Sequence, residues 1–261
     1  MDPTEHSTLL DVFDREMRIE IDTPDGRKDV SPHLVRVMRK APRINTICYA
    51  RLDGMDADEV IRDQVAELSP LDQPFEWDLY DHDRPADLAE RLAAQGFAPD
   101  PEPGAVMTLD LQHAPAELLA PVRADVRRIT RPEELDDVIR IEESVWGGDF
   151  SWLRPQLEHS LSIPGYMSLY VAWADGQPAC AAWIFYYRGS QFAGLYGGST
   201  RAEFRGRGLY TATVATRAQE ALQRGRRYLY INASPMSQPI VARHGFELLT
   251  KVSSMKWEQR D

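Results

Sequence analysis

The sequence has little cysteine and no long apolar run, and both absences narrow the class of protein. Only Cys48 and Cys180 occur among 261 residues. Two isolated thiols in apolar surroundings argue against a disulfide framework or a metal site. No uncharged apolar segment is long enough to span a bilayer, and the first residues, Met-Asp-Pro-Thr-Glu-His, lack the basic-then-apolar pattern of a signal peptide. We therefore expect a cytoplasmic protein with no membrane partner and no metal.

Positive charge is scarce in the first half of the chain. Residues 1–125 carry 13 Lys and Arg against 27 Asp and Glu, whereas residues 126–261 carry 17 against 14. The net charge of −11 argues against nucleic acid as a partner, because that binding depends on cations that neutralise phosphates. We expect the second half to handle any polyanionic ligand. The acidic first half predicts a solvated surface or, alternatively, a surface that captures a basic partner.

A loop rich in glycine and arginine, Thr200–Thr211, connects a predicted strand to a predicted helix. The start of a helix has unpaired N–H groups and the positive end of the helix dipole, which favour a bound anion. Gly206 and Gly208 let the backbone curl around that anion, and Arg205 and Arg207 add charge. The loop is neither a Rossmann fingerprint, which needs a third glycine, nor a Walker loop, which needs Gly-Lys-Ser/Thr. We predict a phosphate site, with an unliganded surface turn as the alternative.

Predicted elements follow the same order in both halves of the chain: strand, helix, strand, helix, Gly-Phe, strand. In the first half they cover 44–52, 56–68, 75–80, 85–95, 96–97 and 105–111, and in the second half 192–200, 210–224, 228–234, 238–244, 245–246 and 248–257. Helices are also predicted at 7–18 and after the Ser31-Pro32 cap, over Leu34, Val35 and Met38. We interpret the chain as a tandem repeat, with coincidence between two ordinary units as the alternative.

The boundary between the two copies is predicted where Pro115 and Pro121 flank a short apolar run. The predicted domains are 1–115 and 126–261, joined by a linker at 116–125. The second domain opens with a strand at 126–129, helices at 132–146 and 152–162, and a hairpin of strands at 167–174 and 179–187.

The loop resembles the acetyl-CoA pyrophosphate loop of the GNAT superfamily of N-acetyltransferases, whose pattern is Arg/Gln-x-x-Gly-x-Gly/Ala. The residues Arg205-x-x-Gly208-x-Tyr210 fit it except at the last place, where Tyr210 replaces a small residue. The resemblance covers about 126–257 and implies an α/β (α+β) fold of two GNAT-like domains, each a mixed, mostly antiparallel sheet flanked by helices. The first copy is expected to be degenerate, because its corresponding segment, Asp53–Glu59, is acidic and would repel pyrophosphate.

The resemblance also implies the cofactor, acetyl-CoA, and the residues that bind it. The strand Tyr196–Thr200 would pair with the pantetheine arm and diverge from the strand 228–234, which leaves a wedge for the thioester. A backbone N–H near Gly197 or Gly198 would polarise the thioester carbonyl. The cofactor-binding residues implied are Gly198, Ser199, Thr200, Arg205, Gly206, Arg207, Gly208, Leu209, Tyr210, Thr211, Ser234 and Ser237.

The catalytic residues are less well marked, because Val241 stands where the family often has a general-acid tyrosine. The acid role then falls to another group or to water. Tyr196, Ser234 and Ser237 are the candidate side chains, with ordinary capping or core packing as the alternative for each. Candidates for the general base are Glu203, Glu143, Glu142, Asp149 and, more weakly, His159.

The predicted activity is transfer of an acetyl group to a primary amine of a small molecule or peptide, by a monomer or homodimer. Acidic groups around residues 147–150 favour a cationic amine, and Trp146, Phe150 and Trp152 would form an aromatic wall. The alternatives are a non-catalytic acyl-CoA-binding regulator, suggested by Val241, and an interaction protein in which the cofactor is structural.

Overall fold

The computed structural model describes residues 3–40 and 43–257, and these form two compact units. The first unit contains the chain up to Met107, together with Asn232–Ile240 and the segment from Glu247. The second unit contains Thr108–Ile231 and Val241–Phe246. Among the described residues, no helix combines the length and apolar character that crossing a bilayer requires.

The strands and helices alternate along the chain much as the hydrophobic periodicity predicts. The strands are β1 (Arg27–Val30), β2 (Leu34–Met38), β3 (Asn45–Ala50), β4 (Phe75–Tyr80), β5 (Phe97–Pro99), β6 (Gly104–Asp110), β7 (Asp125–Ile129), β8 (Met167–Ala174), β9 (Gln177–Tyr186), β10 (Phe192–Thr200), β11 (Tyr228–Ala233) and β12 (Glu247–Trp257). The α-helices are α1 (Pro3–Phe13), α2 (Ala57–Leu68), α3 (Leu88–Ala94), α4 (Ala116–Leu119), α5 (Leu135–Trp146), α6 (Leu153–Ser162), α7 (Leu209–Gln223) and α8 (Gln238–Ala242).

The second unit contains a sheet in the order β11-β10-β9-β8-β7. Only the pair β10 and β11 is parallel there, and the other pairs are antiparallel. The helices α5 and α6 bury their apolar faces in a core that Leu135, Val138 and Leu169 share with the sheet. The mixed, mostly antiparallel sheets with flanking helices confirm the predicted fold class.

The first unit contains a sheet in the order β1-β2-β3-β4-β12, and β5 also pairs with β12. The strand β12 runs antiparallel to β4 from Val252↔Tyr80 to Lys256↔Glu76. Its Met255 is buried in the same core as Trp77 and Ile61. The division into compact units therefore differs from the predicted domain boundary. The prediction placed 248–257 in the second domain, whereas this segment packs in the first unit. Local periodicity identifies a strand, but distant residues decide its partner. Residues 258–261 of that predicted domain lie outside the described residues.

The segment after Ser31 corrects one prediction. The sequence pattern predicted a helix over Leu34, Val35 and Met38, but the structure has strand β2 there. The Ser31 hydroxyl accepts a hydrogen bond from the Leu34 N–H at 3.1 Å, within a turn between β1 and β2. A serine that bonds an N–H three residues later occurs in turns as well as at helix starts. Two valines in a five-residue run favour the strand.

The parallel strands β3 and β4 part after the pair Ile47↔Trp77. A π-helix, Asp14–Ile19, follows α1 and brings Arg18 to this point. The Arg18 Nε donates to the carbonyl of Cys48 at 3.0 Å, and its guanidinium lies over the Tyr80 ring at 3.8 Å. The gap between β3 and β4 is therefore filled by the chain's own N-terminal segment.

Candidate acyl-CoA site

The loop before α7 has a backbone that exposes amide groups. Gly206 and Gly208 have φ values of 75° and 76°, in the left-handed region that glycine adopts without strain. A Cβ at either glycine would meet no heavy atom within 4 Å, so the backbone there borders open space. The first helical bond joins the Ala212 N–H to the Gly208 carbonyl at 2.9 Å. The N–H groups of Leu209–Thr211 precede that bond and have no acceptor within the helix.

The arginines of the loop hold its shape. The Arg205 Nε donates to the Thr200 carbonyl at 3.1 Å, which closes the turn between β10 and α7. Arg207 pairs with the exposed carboxylate of Asp175 at 2.7 Å and lies over the Phe204 ring at 5.2 Å. Both guanidinium groups also add positive charge beside the exposed amides.

The strand β10 parts from β11 and bulges just before this loop. Its parallel pairing with β11 ends at Gly194↔Tyr230, although β10 continues to Thr200. Its pairing with β9 shifts register between Gly197 and Ser199, and Gly197 and Gly198 have φ values of 68° and 90°. The strands therefore diverge where the resemblance predicts a wedge for an extended ligand.

Tyr210, the departure from the family pattern, packs on the bulge. A Cβ at Gly198 would lie 2.6 Å from its Cε2. Its ring also contacts that of His244, with centroids 5.9 Å apart, and His244 Nε2 lies 3.4 Å from the Thr211 Oγ1. Burial raises the pKa of the Tyr210 phenol above its ordinary value. Gly198 thus makes room for the larger residue. His244, the last residue of the predicted helix 238–244, therefore also packs beside the start of α7.

Gly198→Ala is expected to lower the free energy of unfolding by more than Gly189→Ala. Both glycines have positive φ, but a Cβ at Gly189 meets nothing within 4 Å. Gly189→Ala should cost about 1–2 kcal/mol of backbone strain, and the clash at Gly198 should add about 1–3 kcal/mol. Urea unfolding measures both. Adding Tyr210→Ala to Gly198→Ala should remove the clash and restore the stability lost to it, while the loss from backbone strain remains. Equal costs at the two glycines would contradict this packing.

A buried arginine on α7, Arg217, hydrogen-bonds the backbone where the bulge of β10 begins. The Arg217 Nη1 donates to the carbonyls of Trp183 and Tyr196, both at 3.1 Å. Burial lowers the pKa of Arg217 below its ordinary value. The Tyr196 ring is partly exposed, and its hydroxyl lies 3.2 Å from the Tyr230 hydroxyl, which lies 3.2 Å from the Tyr187 hydroxyl. Three tyrosine hydroxyls therefore line the point where β10 and β11 part.

Ser199 joins β10 to α5 through a buried carboxyl group. Its hydroxyl donates to the Glu142 Oε2 at 2.8 Å, and the Trp146 indole N–H donates to the Ser199 Oγ at 3.0 Å. The sequence predicts Glu143 as a catalytic residue and offers Glu142 as a further candidate for the base, and only the packing of α5 separates the two. Glu142 is buried, whereas Glu143 is half-buried and accepts a bond from the Phe150 N–H at 3.4 Å.

The remaining predicted residues lie in two different places. Glu203 is exposed in the loop and pairs with Arg201 at 2.6 Å. Ser234 and Ser237 belong to the segment Asn232–Ile240 of the first unit, and their hydroxyls lie 3.0 Å apart. Ser234 also accepts the Ser237 and Gln238 N–H groups at its carbonyl, as a residue that starts a helical turn does.

Aromatic side chains stand exposed at the end of α5. Trp146 is 58% exposed and Trp152 is 52% exposed, and the Phe150 and Trp152 rings lie 5.7 Å apart. Asp149 and Glu143 are the acidic residues of the same stretch. The predicted aromatic and acidic groups are therefore neighbours along the chain and accessible to a ligand.

Residues 116–234 match the family described as acetyltransferase (GNAT) domain. The matched residues include the loop and the sheet of the second unit, so this part of the chain is a GNAT-class domain, which confirms the resemblance predicted from residues 200–211. A GCN5-related N-acetyltransferase from Kribbella flavida is 17% identical, with a TM-score of 0.66 over 98% of this chain and 95% of that one. A tandem GNAT protein from the clavulanic acid biosynthesis pathway is 15% identical, with a TM-score of 0.61 over 100% and 97% of the two chains. No curated protein sequence matches the chain.

The loop fits acetyl-CoA, the acyl donor of this class, by two features of the chain itself. Unpaired helix N-terminal amides and the helix dipole attract a diphosphate, and the two glycines leave space for it. Main-chain groups of β10 beyond Gly194 are released from pairing with β11 and suit an extended amide-bearing arm.

Proposed function

We propose that the chain is an N-acetyltransferase that moves an acetyl group from acetyl-CoA to a primary amine. The observation that supports this most is the combination, in one unit, of the open amide loop with the parting of β10 from β11. Arg205–Thr211 would hold the diphosphate, and Gly198–Thr200 would pair with the pantetheine arm. Acetyl-CoA, when bound, supplies an acyl group activated as a thioester.

The acceptor we propose is a cationic amine that carries an apolar or aromatic part. Trp146 and Trp152 offer exposed aromatic faces, which attract apolar groups and ammonium ions. The carboxylates of Glu143 and Asp149 add negative charge beside them. Small molecules and peptides with such an amine both fit this description.

The general acid we propose is Tyr196. Val241, at the family's tyrosine position, is a buried apolar residue and has no proton to donate. The Tyr196 side chain is 38% exposed, so solvent water can return the proton that its hydroxyl gives up, and that hydroxyl also contacts a second phenol, Tyr230. Ser234, Glu203 and Glu143 stay predictions for the acid and base roles.

The location we propose is the cytoplasm, where both thiols would stay reduced; Cys48 and Cys180 are free. The first half is proposed to be a degenerate domain without a cofactor site. A monomer or a homodimer is compatible with the proposal.

The activity is tested by thiol release from acetyl-CoA with a matched series of acceptors. We expect turnover with 2-phenylethylamine, less with ethylamine, which lacks the ring, and none with 2-phenylethanol, which lacks the amine. Mass spectrometry should find the acetylated amine as product. Absence of turnover across a broader panel of amines, in a protein that binds acetyl-CoA, would contradict the enzyme and favour the second candidate.

The second candidate is a non-catalytic acyl-CoA-binding regulator, which the burial of Val241 in place of an acid favours. Tight binding of acetyl-CoA without thiol release from any amine is its expected signature. Thiol release by the wild type separates the two. In a wild type that releases thiol, Tyr196→Phe tests the acid: it should slow that release by about 10²-fold or more and leave acetyl-CoA affinity unchanged.

A further inference from the structure

A carboxyl group lies buried next to the bulge of β10. Glu142 is 4% exposed. Its Oε2 accepts from Ser199, and in the part of the chain that the structure describes its Oε1 has no hydrogen-bond partner. A buried carboxyl with an unsatisfied oxygen costs stability, and such groups are concentrated where chemistry requires them.

Ser199 connects this carboxyl to the strand that faces the wedge. The hydroxyl gives its one proton to Glu142 and accepts one from Trp146, so one of its two acceptor sites is unused by these bonds. Ser199 stands directly after Gly197 and Gly198, where the pairing of β10 with β9 shifts. Trp146, its other partner, is largely exposed, so the hydrogen-bonded group extends from the interior to the surface.

The surroundings of Glu142 favour proton uptake. The groups that face it are the Ser199 hydroxyl on β10, the Trp146 indole on its own helix and the Cys180 thiol on β9. Burial raises the pKa of Glu142 above its ordinary value, although the hydrogen bond from Ser199 and the nearby Trp146 indole favour the charged form. Burial also raises the pKa of the Cys180 thiol, which keeps it neutral. A carboxylate with a raised pKa is a better base near neutral pH.

We propose that Ser199 and Glu142 together take the proton from the acceptor's ammonium group, an inference that rests on the proposed function. One ammonium N–H bond breaks and its proton binds to the Ser199 Oγ, while the original hydroxyl proton of Ser199 moves to the Glu142 carboxylate. The amine becomes neutral and Glu142 becomes a carboxylic acid, so charge and protons balance. Ser199 is the catalytic residue, and Glu142 acts through it as a positioning residue and proton acceptor.

Glu142→Gln tests this assignment, because glutamine keeps the shape and still accepts the Ser199 hydrogen bond but cannot take a proton. We expect kcat/KM at neutral pH to fall by about 10²–10⁴-fold, with acetyl-CoA affinity unchanged. The wild type should reach a plateau in kcat/KM above the pKa of Glu142. In the variant, kcat/KM should instead keep rising with pH toward the pKa of the free amine, near 10, because the variant can use only amine that is already neutral in solution.

Ser199→Ala provides a second variant that removes a single oxygen atom, and it should reproduce the profile of Glu142→Gln. Glu133→Gln, an exposed carboxylate before the same helix, is the matched control and should behave as wild type. If the wild type acetylates amines and both Glu142→Gln and Ser199→Ala keep its pH profile of kcat/KM, the inference is overturned and the proposed function is not. A wild type that binds acetyl-CoA and acetylates no amine would overturn the proposed function and the inference with it.

Discussion

Gly208→Asp is expected to weaken acetyl-CoA binding strongly while the fold survives. The substitution places a carboxylate at the residue that caps α7, in the open space that a diphosphate would occupy. Repulsion between the carboxylate and the diphosphate should weaken binding by about 10²-fold or more. Residue 208 has a left-handed φ of 76°, which aspartate adopts more readily than most residues at a cost of about 1–2 kcal/mol, so the helix itself should not be lost.

Gly225→Asp is the matched control for this loss. Gly225 follows α7 and has a φ of 71°, close to the 76° of Gly208, and a Cβ at either residue meets nothing within 4 Å. The two variants therefore share backbone strain and added charge and differ in which end of the helix carries them. Isothermal titration calorimetry with acetyl-CoA should give wild-type affinity for Gly225→Asp. Equal affinity in both variants would contradict a diphosphate site at the loop.

Arg18→Met is expected to destabilise the first unit by about 3–5 kcal/mol. Arg18 is 1% exposed and pairs with Asp83 through two bonds of 2.8 Å and with Asp14 at 2.9 Å. Burial alone would lower the pKa of Arg18, but the carboxylates of Asp83 and Asp14 raise it above its ordinary value, so the charge is retained. Removing the cation leaves Asp83 buried without its partner.

Arg27→Met is the control, because Arg27 is 74% exposed and its pair with Asp29 should contribute at most about 1 kcal/mol. Urea unfolding followed by circular dichroism measures both variants. Adding Asp83→Asn to Arg18→Met should restore part of the loss, since it removes the unpaired carboxylate. A cost for Arg18→Met as small as that for Arg27→Met would contradict the role of this ion pair.

The position of Arg18 also predicts how many acyl-CoA molecules one chain binds. In the first unit the gap beyond Ile47↔Trp77 contains Arg18, bonded to the Cys48 carbonyl, whereas in the second unit β10 beyond Gly194 ends at an open glycine loop. We therefore expect the calorimetric titration of the wild type to give one acetyl-CoA per chain. A stoichiometry of two would contradict a closed first unit.

The sequence alone determined the elements and the loop, because both are encoded by residues close together in the chain. Apolar periodicity predicts α2 and α7, and Phe75–Tyr80 matches β4 at both ends. The loop at Arg205–Gly208 needed only its own glycines, arginines and the helix that follows. The helix predicted over Leu34–Met38 was wrong, because a serine such as Ser31 occurs in turns as readily as at helix starts. Only pairing with the neighbouring strands decides between the two.

Tertiary structure decided everything that depends on partners far apart in sequence. β12 pairs with β4, although some 170 residues separate them along the chain, as the pair Val252↔Tyr80 illustrates. Arg18 finds Asp83, and Glu142 rather than Glu143 meets Ser199, because helix rotation and strand order bring those atoms together. Periodicity specifies which face of an element is apolar, whereas the choice of partner is made by packing over the whole unit, which no local pattern contains.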